Sequence, residues 1–289
     1  IIYDSADLSC DYDYKARQRI FSHMSLIVGL AFVALILITA LVSFIWTPYS
    51  PNHMDTRLSG SSPEHWLGTD QYGRDTLTWV MMGARITLFV GAVAVGISVL
   101  IGVPLGILAG MTNLGWLSGL IMRTNDLLLA FPALLLAMIF AAALGPGTLP
   151  AMIAVGIASI PGFARVARSG TLQVMSREFI MAAKSANRSA FAIARTHVLP
   201  NIGGMVIVQC SVAFALAILA EAGLSFLGLG TQAQTPSWGR MLYDSQQHLE
   251  SHPGLAIWPG IAIAIAVLGF NLLGDGLRDR LDPKLKGRS

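Results

Sequence analysis

From residue 25 to residue 46 the chain reads SLIVGLAFVALILITALVSFIW, with no charged residue. About 20 mainly apolar residues in helix cross a bilayer, and five more such runs follow, at about 86–111, 127–144, 149–166, 202–229 and 255–273. Lipid offers the backbone no hydrogen-bond partner, so a run of this length has to satisfy its own amides as a helix. The expected fold class is all-α: a polytopic membrane protein with six transmembrane helices. The first run is too long for the apolar part of a signal peptide and has no small-x-small cleavage site before its polar flank, so it is read as an anchor. Residues 1–24 then form an N-terminal segment, 25–273 the membrane domain and 274–289 a C-terminal tail.

Composition agrees. Of 289 residues 54% are hydrophobic and only 12% charged, against about a quarter charged in a soluble domain. The two cysteines, Cys10 near the start and Cys210 within an apolar run, are placed too differently to suggest a disulfide. The net charge of +3 is explained by topology rather than nucleic acid, because cytoplasmic loops of membrane proteins collect Lys and Arg. With a cytoplasmic N-terminus, Arg57, Arg74, Arg85 and Arg240 are the only ones of the 19 Lys and Arg left outside. Both termini are therefore expected in the cytoplasm.

Enzyme chemistry finds little support. There is no G-x-x-x-x-G-K-[ST] phosphate loop and no G-x-S-x-G elbow, so no catalytic residue is assigned. His248 and His252 have the i, i+4 spacing of a helical metal pair, but HLESHP reads as a solvated loop and no metal ligand is assigned. Asp126 lies beside Arg123 at i, i+3 at the start of the third run, where a local salt bridge or cap accounts for it; Asp275 in GDGLRDR reads the same way. Glu221 in LAEAGLSFLGLG is deeper, and stands as an intramembrane polar site, functional or structural. Gly91, Gly96, Gly102, Gly106 and Gly110 permit close helix approach along the second run. Pro104, Pro132 and Pro161 are read as kinks.

The loop between the fourth and fifth runs, about 170–200, holds REFIMAAKSANRSAFAIARTHVLPN. Ser176 is expected to cap a helix whose Glu178 suits the N-terminal dipole and whose Ala182, Ala183 and Ala186 favour helix. Asn187, tolerant of the left-handed region, is expected to stop it. A second helix after Ser189 should bury Phe191, Ala194 and Val198 along one stripe, and Leu199 before Pro200 should end it. Such a helix, with Arg188 and Arg195 at its rim, either lies on anionic lipid or docks into a groove of a cytoplasmic partner.

Here the chain resembles the inner-membrane permease subunits of type I ABC importers. Glu178, Ala182, Ala183, Ile193, Leu199 and Pro200 match the family's Glu-Ala-Ala loop as it occurs in the peptide and nickel branch, with Asn187 where the family usually has glycine. LGTDQYGRDTLTWVMMGARITLFVG, DLLLAFPALLLA, EAGLSFLGLGTQAQTPSWGRML and GDGLRDRLDPKL, in that order, resemble the second, C-type permease of dipeptide, oligopeptide and nickel importers. Trp79 and Met82 depart from that pattern, an expected change of outer surface. The resemblance implies a type I permease fold in the bacterial inner membrane, moving peptides by alternating access, with nickel, metal chelate or haem as the alternative cargo. It implies a homologous second permease, two ATPase subunits or one fused, and an extracytoplasmic substrate-binding protein. ATP and Mg would be held by the ATPase subunits, none by this chain. Glu178, Ala182, Ala183, Asn187, Arg188, Phe191, Arg195, Leu199 and Pro200 are then the ATPase-coupling residues, with Phe191 as apolar anchor. Gly73, Arg74, Asp75, Trp238 and Arg240 are the expected binding-protein contacts.

Overall fold

The computed structural model describes residues 5–145, 147–232 and 234–281, with the side chains of 5–22 and 133 left aside. Asp4 and the tail beyond Leu281, with Lys284, Lys286 and Arg288, lie outside the described residues. The long helices are α1 (Ser5–Ile45), α2 (Thr76–Met111), α3 (Gly115–Leu129), α4 (Ala133–Leu144) and α5 (Thr148–Met175). Two short helices, α6 (Glu178–Ser185) and α7 (Ala190–Ile193), precede a π turn at Ala194–Val198 and the long α8 (Leu199–Phe226). After α9 (Trp238–Ser245) and a 3-10 turn at Gln246–His248, the chain enters α10 (Gly254–Leu281).

Five stretches are long and apolar enough to cross a membrane: His23–Ile45, α2, α5, Ala190–Phe226 and α10. A sixth is obtained by taking α3 and α4 as one broken span, bent by 90°. This corrects the expected straight helix at 127–144. Phe131 precedes Pro132, which clashes with a helical residue before it and has no N–H to offer, so the helix stops at Leu129 and restarts beyond the proline. Pro104 and Pro161, in contrast, are carried inside α2 and α5.

The most extensive helix pair is α2 with α5, and glycine is what lets it close. A Cβ on Gly102 would sit 2.7 Å from the Ile160 carbonyl, one on Gly106 would run into the Ala164 carbonyl, and one on Gly110 would lie 2.8 Å from Thr171. Between helices in lipid there is no hydrophobic drive, so this close van der Waals fit supplies the attraction. Ser98 Oγ adds a polar stitch, 2.8 Å from the carbonyls of both Ala94 on its own helix and Gly156 on α5, sharing one proton between them. Gly91 faces Phe214 of α8, while Gly96 has open space around it. α8 packs on α2, α5 and α10, with Phe214 and Phe270 stacked at 4.2 Å. Leu41, Ile45, Leu100 and Leu216 point outward from the bundle, as lipid-facing residues do.

Candidate functional site

Two ends of the bundle carry the polar residues, one around α6 and one around α9. At the first, Ser176 Oγ donates to the Gln173 carbonyl at 2.9 Å, so it closes α5 rather than capping α6, whose N-cap is Arg177 with no side-chain hydrogen bond. Glu178 is the first residue of α6, where its charge suits the free amides. The helix stops as expected: Asn187 has φ +54°, with its N–H on the Lys184 carbonyl and that of Arg188 on the Ala183 carbonyl. Those two bonds make a Schellman cap, which ordinarily takes glycine at this place.

Ser189 Oγ then caps α7 by accepting from the Ala192 N–H at 3.2 Å. Past this point the expectation fails twice. Leu199 is helical and the chain runs on without interruption from Ala190 to Phe226. A π turn makes that feasible: the Leu199 N–H reaches back five residues to the Ala194 carbonyl, and Asn201 Nδ2 donates to the His197 carbonyl at 2.6 Å. The missing proline N–H is thus absorbed by a widened turn. That turn also shifts the buried stripe, which is Ile193, Val198 and Ile202, packed with Ile180 and Ala183 of α6 and Val174 of α5. Burying each large side chain of this set contributes roughly 1.5–3 kcal/mol in water-based bookkeeping.

Phe191 is left pointing away, 77% exposed. Arg177, Lys184, Arg188 and Arg195 of the same loop are exposed, as are Glu178, Ala182, Leu199 and Pro200. Phe179 and Met181 are also exposed. This end therefore presents exposed apolar side chains together with exposed cations.

The opposite end is built from residues 46–75 and α9. Asp75 caps α2 by accepting from the Thr78 N–H at 2.8 Å, and its other oxygen lies 2.9 Å from His65 Nδ1. Asp70 Oδ1 accepts from the N–H groups of Tyr72 and Arg74, and Oδ2 from Arg74 Nε at 2.6 Å. Gly73, at φ +85°, makes the turn between them, and a Cβ there would collide with the Asp55 carbonyl. The Arg74 guanidinium lies 3.6 Å over the Trp79 ring and 3.6 Å from Asp244 of α9, which Arg240 also reaches at 2.8 Å. Burial pushes the Asp244 carboxyl above its ordinary range against the pull of Arg240 and Arg74. Trp238 Nε1 donates to the Val80 carbonyl at 2.9 Å, and its ring comes so close to Gly83 that a Cβ there would lie 2.6 Å from it.

Gly73, Arg74, Asp75 and Trp238 are accordingly buried, and Arg240 is half-buried. They form the scaffold that shapes this end, and Tyr72, Trp66 and Tyr243 are among the side chains exposed there. Trp79 is buried too, so its departure from the family pattern alters the packing of Arg74 and not the outer surface. Glu221, at 1% exposure, accepts from Ser225 Oγ at 2.8 Å. Ser225 is joined to Thr231 and Thr231 to Ser237, so this carboxyl anchors the turn after α8 to the start of α9. His248 bonds Gln71 at 3.1 Å and His252 bonds Ser251, so the two do not converge. No group that could hold a metal is found among the described residues.

The family described as "Binding-protein-dependent transport system inner membrane component" matches residues 102–287. The dipeptide transport system permease protein DppC of Alkalihalophilus pseudofirmus is 45% identical over 94% of this chain and 90% of its own length. The chain belongs to the ABC importer permeases of the peptide type. The glutathione transport system permease protein GsiD of Pectobacterium atrosepticum is 41% identical to this permease over 93% of it and 90% of the relative, and that of Escherichia coli O157:H7 is 43% identical over 92% and 88%. The methionine ABC transporter MetNI, solved in inward-facing conformations, matches at TM-score 0.60 and 17% identity, over 71% of this permease and 96% of that chain. The fold is that of a type I ABC importer permease, a multi-pass protein of the inner membrane.

Two features of the permease's ends lead to measurements. Replacing Asn187 by glycine should stabilise the α6 cap by less than about 1 kcal/mol, and by valine should cost about 1–2 kcal/mol, because only the β-branched side chain resists positive φ. Hydrogen exchange of the α6 amides will register both. The second concerns His65, which is buried with the Tyr49 ring tilted against it and His53 stacked on Tyr49. Burial disfavours its cation, but hydrogen bonds and charge from Asp75 and Asp55 outweigh that and raise its pKa above the ordinary 6.5. The raised value means stability that is complete below about pH 6.5 and lost as pH rises through the folded pKa. Asp55 is shifted the other way, downward from 3.8, by the Thr56 N–H first and then His65, so its contribution is lost only in acid. Exchange protection of residues 55–75 should therefore fall in the wild type as pH rises above about 6.5, and H65Q should flatten that slope.

Proposed function

We propose that this permease imports di- or oligopeptides by alternating access, driven by ATP hydrolysis at partner subunits and coupled through the Glu-Ala-Ala-type loop. What supports the cargo is that relatives at 41–45% identity over nearly their whole length are named for dipeptide and glutathione transport, glutathione itself being a tripeptide. What supports the coupling is Phe191, an aromatic side chain held out in water by a helix whose buried stripe is satisfied without it. A protruding aromatic on a loop that also exposes Arg177, Lys184, Arg188 and Arg195 fits an apolar groove with acidic edges, the helix-in-groove mode of recognition.

On this reading the chain pairs with a homologous second permease, its α6 end sits in the cytoplasm on two ATPase subunits or one fused chain, and its α9 end receives a substrate-binding protein. ATP and Mg belong to the ATPase subunits, and this chain does no chemistry of its own. Both termini are cytoplasmic, as the distribution of Lys and Arg predicts. Nickel, metal-chelate or haem import is the same machine with another binding protein. A secondary transporter is disfavoured because such proteins bind a coupling ion near the bilayer midplane, whereas the buried Glu221 ties one of its carboxylate oxygens into a local hydroxyl network. Purification in mild detergent tests the proposal: ATPase subunits should co-elute with the tagged permease, and their consistent absence would refute it.

A further inference from the structure

Where α9 meets the start of α2, the side chains leave a small cavity. Asp70 and Arg74 of the preceding loop, Thr76 and Trp79 of α2, Asp244 of α9 and Leu255 of α10 are among the residues around it. Its volume is about 20 Å³, and about 10–15 Å³ is enough to hold one water molecule.

Two polar atoms of its wall are left without a bond. Thr76 is 1% exposed and Trp79 4%, and neither Thr76 Oγ1 nor Trp79 Nε1 has a hydrogen-bond partner among the described residues. Trp238, at 2% exposure, makes the contrast, because its Nε1 donates to the Val80 carbonyl. Buried polar groups are nearly always paired, with protein or with ordered water, and an indole N–H can only donate. Whatever sits against Trp79 must therefore offer an acceptor.

The acceptors of the chain itself are mostly engaged. Asp70 Oδ1 takes two backbone N–H groups and Oδ2 takes Arg74 Nε, while Gln71 Oε1 meets His248 Nε2 at 3.1 Å. Asp244 Oδ2 is held more loosely. It lies 3.6 Å from Arg74 Nη2, too long for a direct hydrogen bond and a separation at which water bridges polar groups. An ion fits less well than water, since the two carboxylates already have Arg74 and Arg240 beside them.

We propose that this cavity is a binding site for one water molecule, which accepts from Trp79 Nε1, donates to Asp244 Oδ2 and completes its shell with Thr76 Oγ1. The water ties the first turn of α2 to α9, beside the direct bond from Trp238 to Val80. The site is independent of the cargo.

Radical footprinting of the whole chain in detergent tests it. X-ray pulses generate hydroxyl radicals from bound as well as bulk water, and mass spectrometry reads the oxidised tryptophans. With a scavenger removing the bulk radicals, Trp66, which is 66% exposed, should lose most of its labelling. Trp79 should keep its own and be oxidised at least about fivefold faster than Trp238, the equally buried indole bonded to protein. Trp79 no more reactive than Trp238 would overturn the site. The substitution T76V adds a test of sign. If Thr76 Oγ1 is unpaired, valine removes a desolvated hydroxyl, and exchange of the α9 amides stays the same or slows; that result also overturns the proposal. If the hydroxyl holds the water, Trp79 labelling drops towards that of Trp238 and the α9 amides exchange at least about threefold faster. Should T76V not accumulate, the wild-type footprint decides alone.

Discussion

Replacing Gly106 by leucine will remove most of the folded permease from the membrane. The α2–α5 pair is the largest contact in the bundle, and at Gly106 the two backbones come so close that even a methyl group meets the Ala164 carbonyl and lies 2.7 Å from the Ala167 Cβ. Overpacking a soluble core typically costs about 1–3 kcal/mol because side chains move aside. Here the obstacle is backbone on a neighbouring helix, so the helices themselves must separate, and the Ser98 bridge to Gly156 is lost with them. A cost beyond about 3 kcal/mol is expected, comparable with a large part of a domain's stability. The control is Gly96, where the same leucine meets open space within this chain. Fluorescence-detected size exclusion of both variants in one detergent will show G106L aggregated or absent and G96L close to wild type.

Phe191→Asp will act in the opposite way, leaving the permease folded and stopping transport. Because Phe191 is exposed and the α7 stripe is held by Ile193 and Val198, the fold loses little when the ring is removed. An aromatic anchor of an interface is commonly worth 2 kcal/mol or more, and placing a carboxylate in an apolar groove adds its desolvation. Uptake and peptide-stimulated ATP hydrolysis should both fall at least tenfold, with membrane levels unchanged. Ile193→Asp is the contrasting case: it buries a charge in the α6–α7 core, and the chain itself should be lost. Retention of coupling in F191D would remove Phe191 from the interface.

Much of this was legible in the sequence where the physics is local. Uninterrupted apolar runs can only be helices in lipid, and five of the six expected crossings coincide with single helices. Asn187 is legible for the same reason, since few residues accept positive φ. What failed was the treatment of proline as a uniform stop. Pro132 breaks its helix, but Pro200 is passed by a π turn whose compensation depends on Asn201 donating to the His197 carbonyl, and that is not apparent from a dipeptide. The π turn then displaced the buried stripe by one residue, putting Ile193 inside and Phe191 out. At the α9 end the resemblance implied that Arg74, Asp75 and Trp238 meet a binding protein, whereas each is buried against partners within the fold: Arg74 against Asp70 and Asp244, Asp75 against His65, and Trp238 against the Val80 carbonyl. Asp126, expected to pair with Arg123 three residues before it, instead meets Arg165 of α5 at 2.8 Å, a tertiary contact that spacing along one helix does not reveal.

The most direct test of the account is uptake of labelled dipeptide and tripeptide by cells from which this chain's gene has been deleted, with and without the gene restored. Import that appears only on restoration, and that stops when ATP is depleted while the ion gradients are held, is the predicted result. Import that is unaffected by the deletion, or that continues on the ion gradients alone, would contradict it.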